Sequence, residues 1–304
     1  MENTSDSKEK TGSKKSESKN ADKVESQATE RQKVTIKSML EAGLHFGHQT
    51  HRWNPRFHPY VYGERNGIHI INLDLTFQLW EKARQALAEI VSRGGTVLFV
   101  GTKRQARDII KEEANRCGAF FVTSRWLGGM LTNFQTIKNS IDRMRKMEDL
   151  LERAAAPDTK IKLSKKERLT MSRDLEKLEA NLGGIREMKR APDILIVVDV
   201  VKEDIAISEA WKLRTPVIGV VDTNASPEHI TFPIPANDDA TRGLRLLVGA
   251  LADTILESRA IFRNRMGDKD KIVDQEASAL KGEDASSSNG HGAHSAVHNG
   301  AAVM

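Results

Sequence analysis

The stretch "TVLFVGTKRQARDII", residues 96–110, closes an apolar run at Gly101, turns, and opens a helix whose first positions are Lys103 and Arg104. Such a turn binds phosphate when backbone N–H groups and the positive end of the helix converge on the anion. A nucleotide site needs more glycine than this, either G-x-x-x-x-G-K-[ST] or G-x-G-x-x-G, and the stretch has neither pattern. Lys103, Arg104 and Arg107 are therefore expected to present exposed cations to a phosphate reached from outside. The bland alternative is an ordinary strand-to-helix turn.

A second cluster is "SRWLGGMLTNFQTI", residues 124–137. Gly128-Gly129 permits close backbone approach or positive φ, with Arg125 and Trp126 beside it as a planar cation and a large amphipathic ring. Those groups suit a sugar-phosphate chain and its bases. Trp126 would equally serve as packing where a neighbouring element joins the sheet.

The third is "GLHFGHQTHRWNPRFHPYVYGERNG", residues 43–67, in which His45, His48 and His51 recur every three residues among Arg52, Arg56 and Arg65. Zinc is discounted here, because Gly47 interrupts a rigid helical array and neither Cys nor a nearby carboxylate completes a tetrahedral set. A basic arm interleaved with aromatic residues, laid against nucleic acid or a protein neighbour, accounts better for the composition. Asp199 and Asp222 make the best enzyme-like pair, each expected at the carboxyl end of a strand, where doubly wound folds place ligands. Two carboxylates there could hold Mg²⁺, yet no nucleophile or base stands beside them, and Asp at a strand end commonly caps the following turn.

These residues need a scaffold, and the chain has one. Its 304 residues, 38% of them hydrophobic, suffice for one large or two modest domains. No apolar run approaches the roughly 18 to 20 residues that span a bilayer, and "MENTSDSKEKTGSKK" lacks the apolar centre of a secretory signal, so the expected location is the cytoplasm. A lone Cys117 rules out an internal disulfide framework and is expected to be a buried small apolar group. The net charge is +5: residues 1–33 carry 8 Lys/Arg against 7 Asp/Glu, residues 263–304 carry 5 against 6, and the middle carries 34 against 29. The excess lies in the body and permits an anionic partner without requiring one.

Five short apolar runs read as strands buried on both faces: "GIHIINL" (67–73), "TVLFVG" (96–101), "GAFFVT" (118–123), "DILIVVDV" (193–200) and "PVIGVVDT" (216–223). Helical patterns separate them. Asp74 or Thr76 is expected to cap one, with Phe77, Trp80, Ala83, Leu87 and Ile90 on its inner face and Gly94-Gly95 at its end. Asn237, Asp238 and Asp239 precede a long closing helix. Strand–helix–strand units cross over right-handedly, which predicts a doubly wound parallel α/β domain over 34–129 and 191–266.

Residues 130–190 carry no strand signal. Ile137, Ile141, Met144 and Leu151 face Met171, Leu175, Leu178 and Leu182 in an apolar seam, with Pro157 as a breaker and Ser164 with Glu167 as a capping box. An inserted antiparallel helical hairpin of coiled-coil type is predicted. It carries Lys138, Arg143 and other charges outside, which ordinarily do no more than solvate a helix face. Residues 1–33 and 267–304 are too poor in large apolar groups to offset the entropy of ordering and are expected to be disordered.

"MLEAGLHFGHQTHRWNPRFHPYVYGERNGIHIINLDLT", "LFVGTKRQA", "FFVTSRWLGGMLTNFQTI", "LEKLEANLGGIREM", "PDILIVVDV" and "PVIGVVDTNASPEHITFPIPANDDA", in this order, resemble the family of bacterial small-ribosomal-subunit proteins S-two over about residues 34–262. The resemblance implies a flavodoxin-like fold with a protruding hairpin and no catalytic activity or cofactor. It further implies binding to 16S ribosomal RNA, neighbouring small-subunit proteins as partners, and docking of the large RNA-binding protein S-one, with no membrane or DNA involved. The chain departs from the family at both termini and at Lys189-Arg190, where small residues are common.

The expected function is thus structural binding of RNA by shape and backbone, through Arg52, Arg56, Lys103, Arg104, Arg107, Arg125, Trp126, Lys138 and Arg143. Two other readings stand beside it: an enzyme holding a nucleotide or metal-bound phosphate near Asp199 and Asp222, and a cytoplasmic scaffold that binds proteins through the hairpin.

Overall fold

A computed structural model describes residues 33–155 and 163–287, with side chains through Arg265. The expected N-terminal extension before residue 33, the breaker Pro157 and the tail beyond Ser287 lie outside the described residues.

The body is built on five parallel strands, β4 (Val97–Val100), β5 (Phe120–Val122), β6 (Ile194–Val198), β7 (Val217–Val221) and β8 (Phe232–Pro235), in the order β5-β4-β6-β7-β8. Counting only these strands in chain order gives 2-1-3-4-5, the flavodoxin-like arrangement. Strands β4, β6 and β7 are buried at every residue, as their unbroken apolar runs require. After a short α1 (Ile36–Glu41), helices α2 (Leu73–Ser92), α3 (Arg104–Cys117), α6 (Asp204–Leu213) and the start of α7 (Thr241–Ser287) cover the sheet. Two apolar clusters divide the strand residues by alternation: Val97, Phe99, Ile196 and Ile218 in one, Leu98, Val100, Leu195 and Val197 in the other.

One strand differs from its expectation. "GIHIINL" does not join the parallel sheet; its residues Ile68–Ile71 form β3, the centre of a separate antiparallel sheet with β1 (Phe46–Gln49) and β2 (Val61–Arg65). Its burial alternates, as in a strand with one covered face. The fifth parallel strand is instead β8, "FPIP", whose two prolines argue against a strand in sequence. Pro is tolerated there because β8 is an edge, where one row of N–H groups has no ladder partner to serve.

The cap of α2 is Asn72, whose Oδ1 accepts from the N–H groups of Asp74 and Leu75 at 3.1 and 3.4 Å; neither Asp74 nor Thr76 caps it. Thr76 is buried and donates to Pro235 O at 2.6 Å, tying α2 to β8. Gly94, at φ 83°, ends the helix as expected. Cys117 is buried as expected, and burial pushes its thiol pKa up.

The hairpin is α4 (Phe134–Ala155) packed on α5 (Lys165–Leu182). Ile137, Ile141, Met144 and Leu182 are buried at its root, and Leu175 and Leu178 pack on them. Ser164 and Glu167 form the expected capping box, with bonds of 3.2 and 2.9 Å. A compact unit ends at Arg259, and a second one, beginning at Ala260, is helical as far as Ser287.

Candidate nucleic-acid interface and the carboxyl edge of the sheet

In this strand order the ligand crevice opens between β4 and β6, where the connections diverge to opposite sides. Gly101 follows β4 and Asp199 follows β6. Here the crevice is bridged from within. Thr102 N–H donates to Glu203 Oε1 at 2.9 Å, and Lys202 Nζ donates to Thr102 O at 3.0 Å. A Cβ on Gly101 would run into the side chain of Ile110, so this glycine serves close packing of α3 on the sheet rather than the wrapping of a phosphate.

Lys103 corrects an expectation. It is not an exposed cation: its side chain is 15% accessible, and Nζ lies 2.6 Å from both Asp238 Oδ1 and Asp239 Oδ1 and 3.8 Å from Asp199 Oδ2. Burial works against its charge, but the hydrogen bonds it donates to both aspartates outweigh burial and raise the pKa. A carboxylate-satisfied lysine has little charge left for an outside phosphate. Arg104 remains exposed, and Arg107 is exposed while its Nε donates to Thr102 O at 2.8 Å.

Asp199 and Asp222 do stand at the ends of adjacent strands, but they have different neighbours. Asp199, at φ 67°, accepts from Lys202 N–H at 3.1 Å in the turn after β6. Asp222 is buried; its Oδ1 is 3.1 Å from His48 Nδ1, and its Oδ2 accepts from Asp238 N–H at 3.3 Å. Hydrogen bonding to Asp222 raises the His48 pKa against the opposing effect of burial. Asp238 is pushed up to about 7, first by burial and then by the charge of Asp222, with Lys103 holding it down.

His48, Asp222 and Asp238 each offer a ligand atom, all within 4.8 Å of one another, a nitrogen and oxygen set able to hold a divalent cation. Spacing alone could not show this, since the three come from β1 and from the turns after β7 and β8. His45 and His51 do not join His48 in that set. The segment they belong to is not an extended arm but the small antiparallel sheet, locked to the body by His48 N–H donating to Thr223 Oγ1 at 2.8 Å. Arg52 is exposed beside this cluster, in a pocket shared with His48 and Asp239. Arg56 is ion-paired with Glu228.

Trp126 also departs from expectation. It is 6% accessible, packed in the core with Met130 and Ile137, so its face is not open to a base. Its indole Nε1 donates to Glu209 Oε1 at 3.2 Å. Glu209 also accepts from the N–H groups of Gly129, Leu131 and Thr132 at 2.7, 3.0 and 3.1 Å and from the Thr132 hydroxyl at 3.0 Å. Burial alone would raise its pKa; these donors, led by the backbone ones, outweigh burial and lower it. Gly129 takes φ 90° in this turn, as the glycine pair suggested. The loop that launches the hairpin is therefore fastened to α6 by one buried carboxylate. The only hint of Glu209 in sequence is a charged residue within the apolar pattern of α6. Arg125 is exposed in this loop, and Lys138 and Arg143 are exposed on α4. Arg190 forms a two-fold ion pair with Asp193 at 3.1 and 2.9 Å.

An open parallel sheet in flavodoxin-like order, with an anchored helical hairpin inserted between its second and third strands in chain order, defines a protein of the α/β class. The chain matches ribosomal protein S2 over residues 39–258 and belongs to that family. Small ribosomal subunit protein uS2 of Nitratidesulfovibrio vulgaris (strain DSM 19637 / Miyazaki F) is 50% identical over 234 residues, covering 77% of this chain and 85% of the relative. The proteins of the same name from Agrobacterium fabrum (strain C58 / ATCC 33970) and Bartonella henselae (strain ATCC 49882 / DSM 28221 / CCUG 30454 / Houston 1) are each 50% identical. They cover 74% and 77% of this chain and 87% and 89% of their own lengths. Family membership makes the chain a structural constituent of the small ribosomal subunit, working in translation on the cytoplasmic ribosome.

Proposed function

We propose that the chain is held in the small subunit by ribosomal RNA phosphates, contacted by Arg52, Arg104, Arg107, Arg125, Lys138 and Arg143. The observation that carries this reading is a division among the cations. Lys103, Arg56, Arg116, Arg145 and Arg186 are ion-paired within the chain, whereas these six are exposed and, among the described residues, have no carboxylate within ion-pair distance. Side chains already paired gain little from a phosphate, while unpaired ones release condensed counterions on contact. RNA is recognised in this reading by backbone and shape, since the one candidate base-stacking ring of the hairpin loop, Trp126, is buried.

The test is the salt dependence of binding to 16S ribosomal RNA. Removing one cation that touches a phosphate should reduce the slope of log affinity against log salt by about 1, so Arg104→Ala and Arg125→Ala should each flatten it. Slopes equal to wild type in both variants would remove these residues from the interface. The family resemblance adds a partner, and the chain is proposed to help seat the large RNA-binding protein S-one. Subunits reconstituted without this chain should lose S-one, and full retention would overturn the docking role.

A further inference from the structure

The carboxylate cluster and the hairpin loop leave the opposite edge of the sheet unaccounted for. At its amino edge, the C-terminus of α6 and the turn before β8 enclose a cavity of about 500 Å³ lined by Trp211, Arg214, Thr215, His229 and Thr231. Trp211 is 59% accessible, which is unusual for the largest apolar side chain in a monomeric body. Its ring lies 4.6 Å from that of His229, inclined by 50°. Arg214 and His229 both adopt left-handed backbone conformations, at φ 55° and 64°, a region that non-glycine residues other than Asn, Asp and His seldom take. At Arg214 this turns the chain out of α6, with its N–H donating to Trp211 O at 3.1 Å. At His229 it turns the chain immediately before Ile230 and the Thr231 that leads into β8.

We infer that Trp211, His229 and Arg214 form a stacking site for an unpaired RNA base. The rings of Trp211 and His229 already pack on each other and admit nothing between them, so the base stacks on the exposed face of Trp211, with His229 packed against that ring and Arg214 supplying a planar cation in the same lining. Among the described residues no carboxylate lies within ion-pair distance of Arg214. The Thr215 and Thr231 hydroxyls are within the same lining; Thr231 Oγ1 accepts from Val217 N–H at 3.2 Å, which leaves its proton free to donate. The negative end of α6 points at this cavity, so it does not favour a phosphate, and the contact is made with a base rather than with the backbone. This inference rests on the RNA-binding reading but concerns a different surface and a different interaction, one carried by ring stacking instead of counterion release. The exposed apolar residues Val201, Ile205 and Leu213 on and beside α6 make a protein partner the competing occupant.

The test uses the full chain and a short fluorescein-labelled oligoadenylate, with a blunt RNA duplex of the same length as comparison. Trp211→Ala should weaken binding of the single strand by between about fivefold and a hundredfold, the range for one stacked base, without changing the salt slope. Trp211→Tyr should restore most of the affinity. His229→Gly removes the second ring while accepting the left-handed backbone, and should weaken binding in the same way. Single-strand affinity unchanged in both Trp211→Ala and His229→Gly, or equal binding of duplex and single strand, overturns the stacking site. If wild-type RNA binding keeps its salt dependence in that case, the phosphate-contact reading survives; if the wild type binds no RNA, both fall. In assembled subunits, a photo-crosslinking residue at position 211 should yield an RNA adduct, and an adduct only with protein overturns the proposal in favour of a protein-docking surface.

Discussion

Lys103 Nζ and Asp238 Oδ1 lie 2.6 Å apart, and that contact converts a lysine placed where a nucleotide-binding fold grips phosphate into a clasp between α3 and the turn before α7. The cation compensates a group of carboxylates that otherwise repel one another. Lys103→Met should therefore destabilise the body by about 1–3 kcal/mol at pH 8, because one partner of a buried pair has gone. At pH 6 the loss should be smaller, since Asp238, poised at about 7, can then take up a proton. Thermal melts at the two pH values measure this; an equal loss at both would remove the coupling. The salt slope of RNA binding should stay at its wild-type value in the same variant.

The pH dependence of the unmodified protein follows from Asp238 and His48. The folded pKa of Asp238, about 7, exceeds its ordinary 3.8, so the folded state holds the proton more tightly and stability falls as pH rises from about 4 through about 7. His48 is also raised above its ordinary 6.5, so its contribution is complete below that value and is lost as pH climbs through the folded one. Both act in the same direction. Protein treated with a chelator should melt at a lower temperature at pH 8 than at pH 6, by about 2–4 °C for each kcal/mol lost. Asp238→Asn should flatten that difference, and a Tm that rises with pH would contradict the assignment.

Glu209 offers a separate test of how the hairpin is anchored. Glu209→Ala strands the N–H groups of Gly129, Leu131 and Thr132 together with the Trp126 indole, at a cost of about 3–5 kcal/mol. Glu209→Gln keeps the shape but turns an amide NH₂ toward donors, and should lose roughly 1–3 kcal/mol. Hydrogen exchange should quicken first at residues 129–132 in either variant. Unchanged protection there would show that the loop is held by packing alone.

Within the hairpin, Ile141 is 2% accessible and packs into the seam between α4 and α5. Ile141→Asp places a carboxylate there without a partner, so paired helices should separate at their root. Limited proteolysis between residues 134 and 182 should accelerate while the parallel sheet stays resistant. Unaltered cleavage would contradict the packing of the pair.

Much of this architecture was legible because it follows from local rules. The buried runs of β4, β6 and β7 carry no polar residue, the seam of α4 and α5 repeats in steps of three and four, and Ser164 with Glu167 marks a helix start. Each is a property of residues close in sequence, where period and capping chemistry leave few options. The order of the motif-bearing stretches was likewise enough to indicate the family, and the match over residues 39–258 agrees.

What the tertiary structure alone decided concerns residues far apart in the chain. An edge position made "FPIP" a strand, and a single covered face moved "GIHIINL" out of the parallel sheet. Burial took Trp126 away from any base, and Glu209, 83 residues later, became its partner. Lys103 remained a lysine at a helix start, as its sequence says; that its charge is spent on Asp238 and Asp239 depends on where α7 begins in space. A pattern of residue types fixes what a side chain can donate, accept or bury, whereas the field around it and the groups that reach it are set by packing between distant segments.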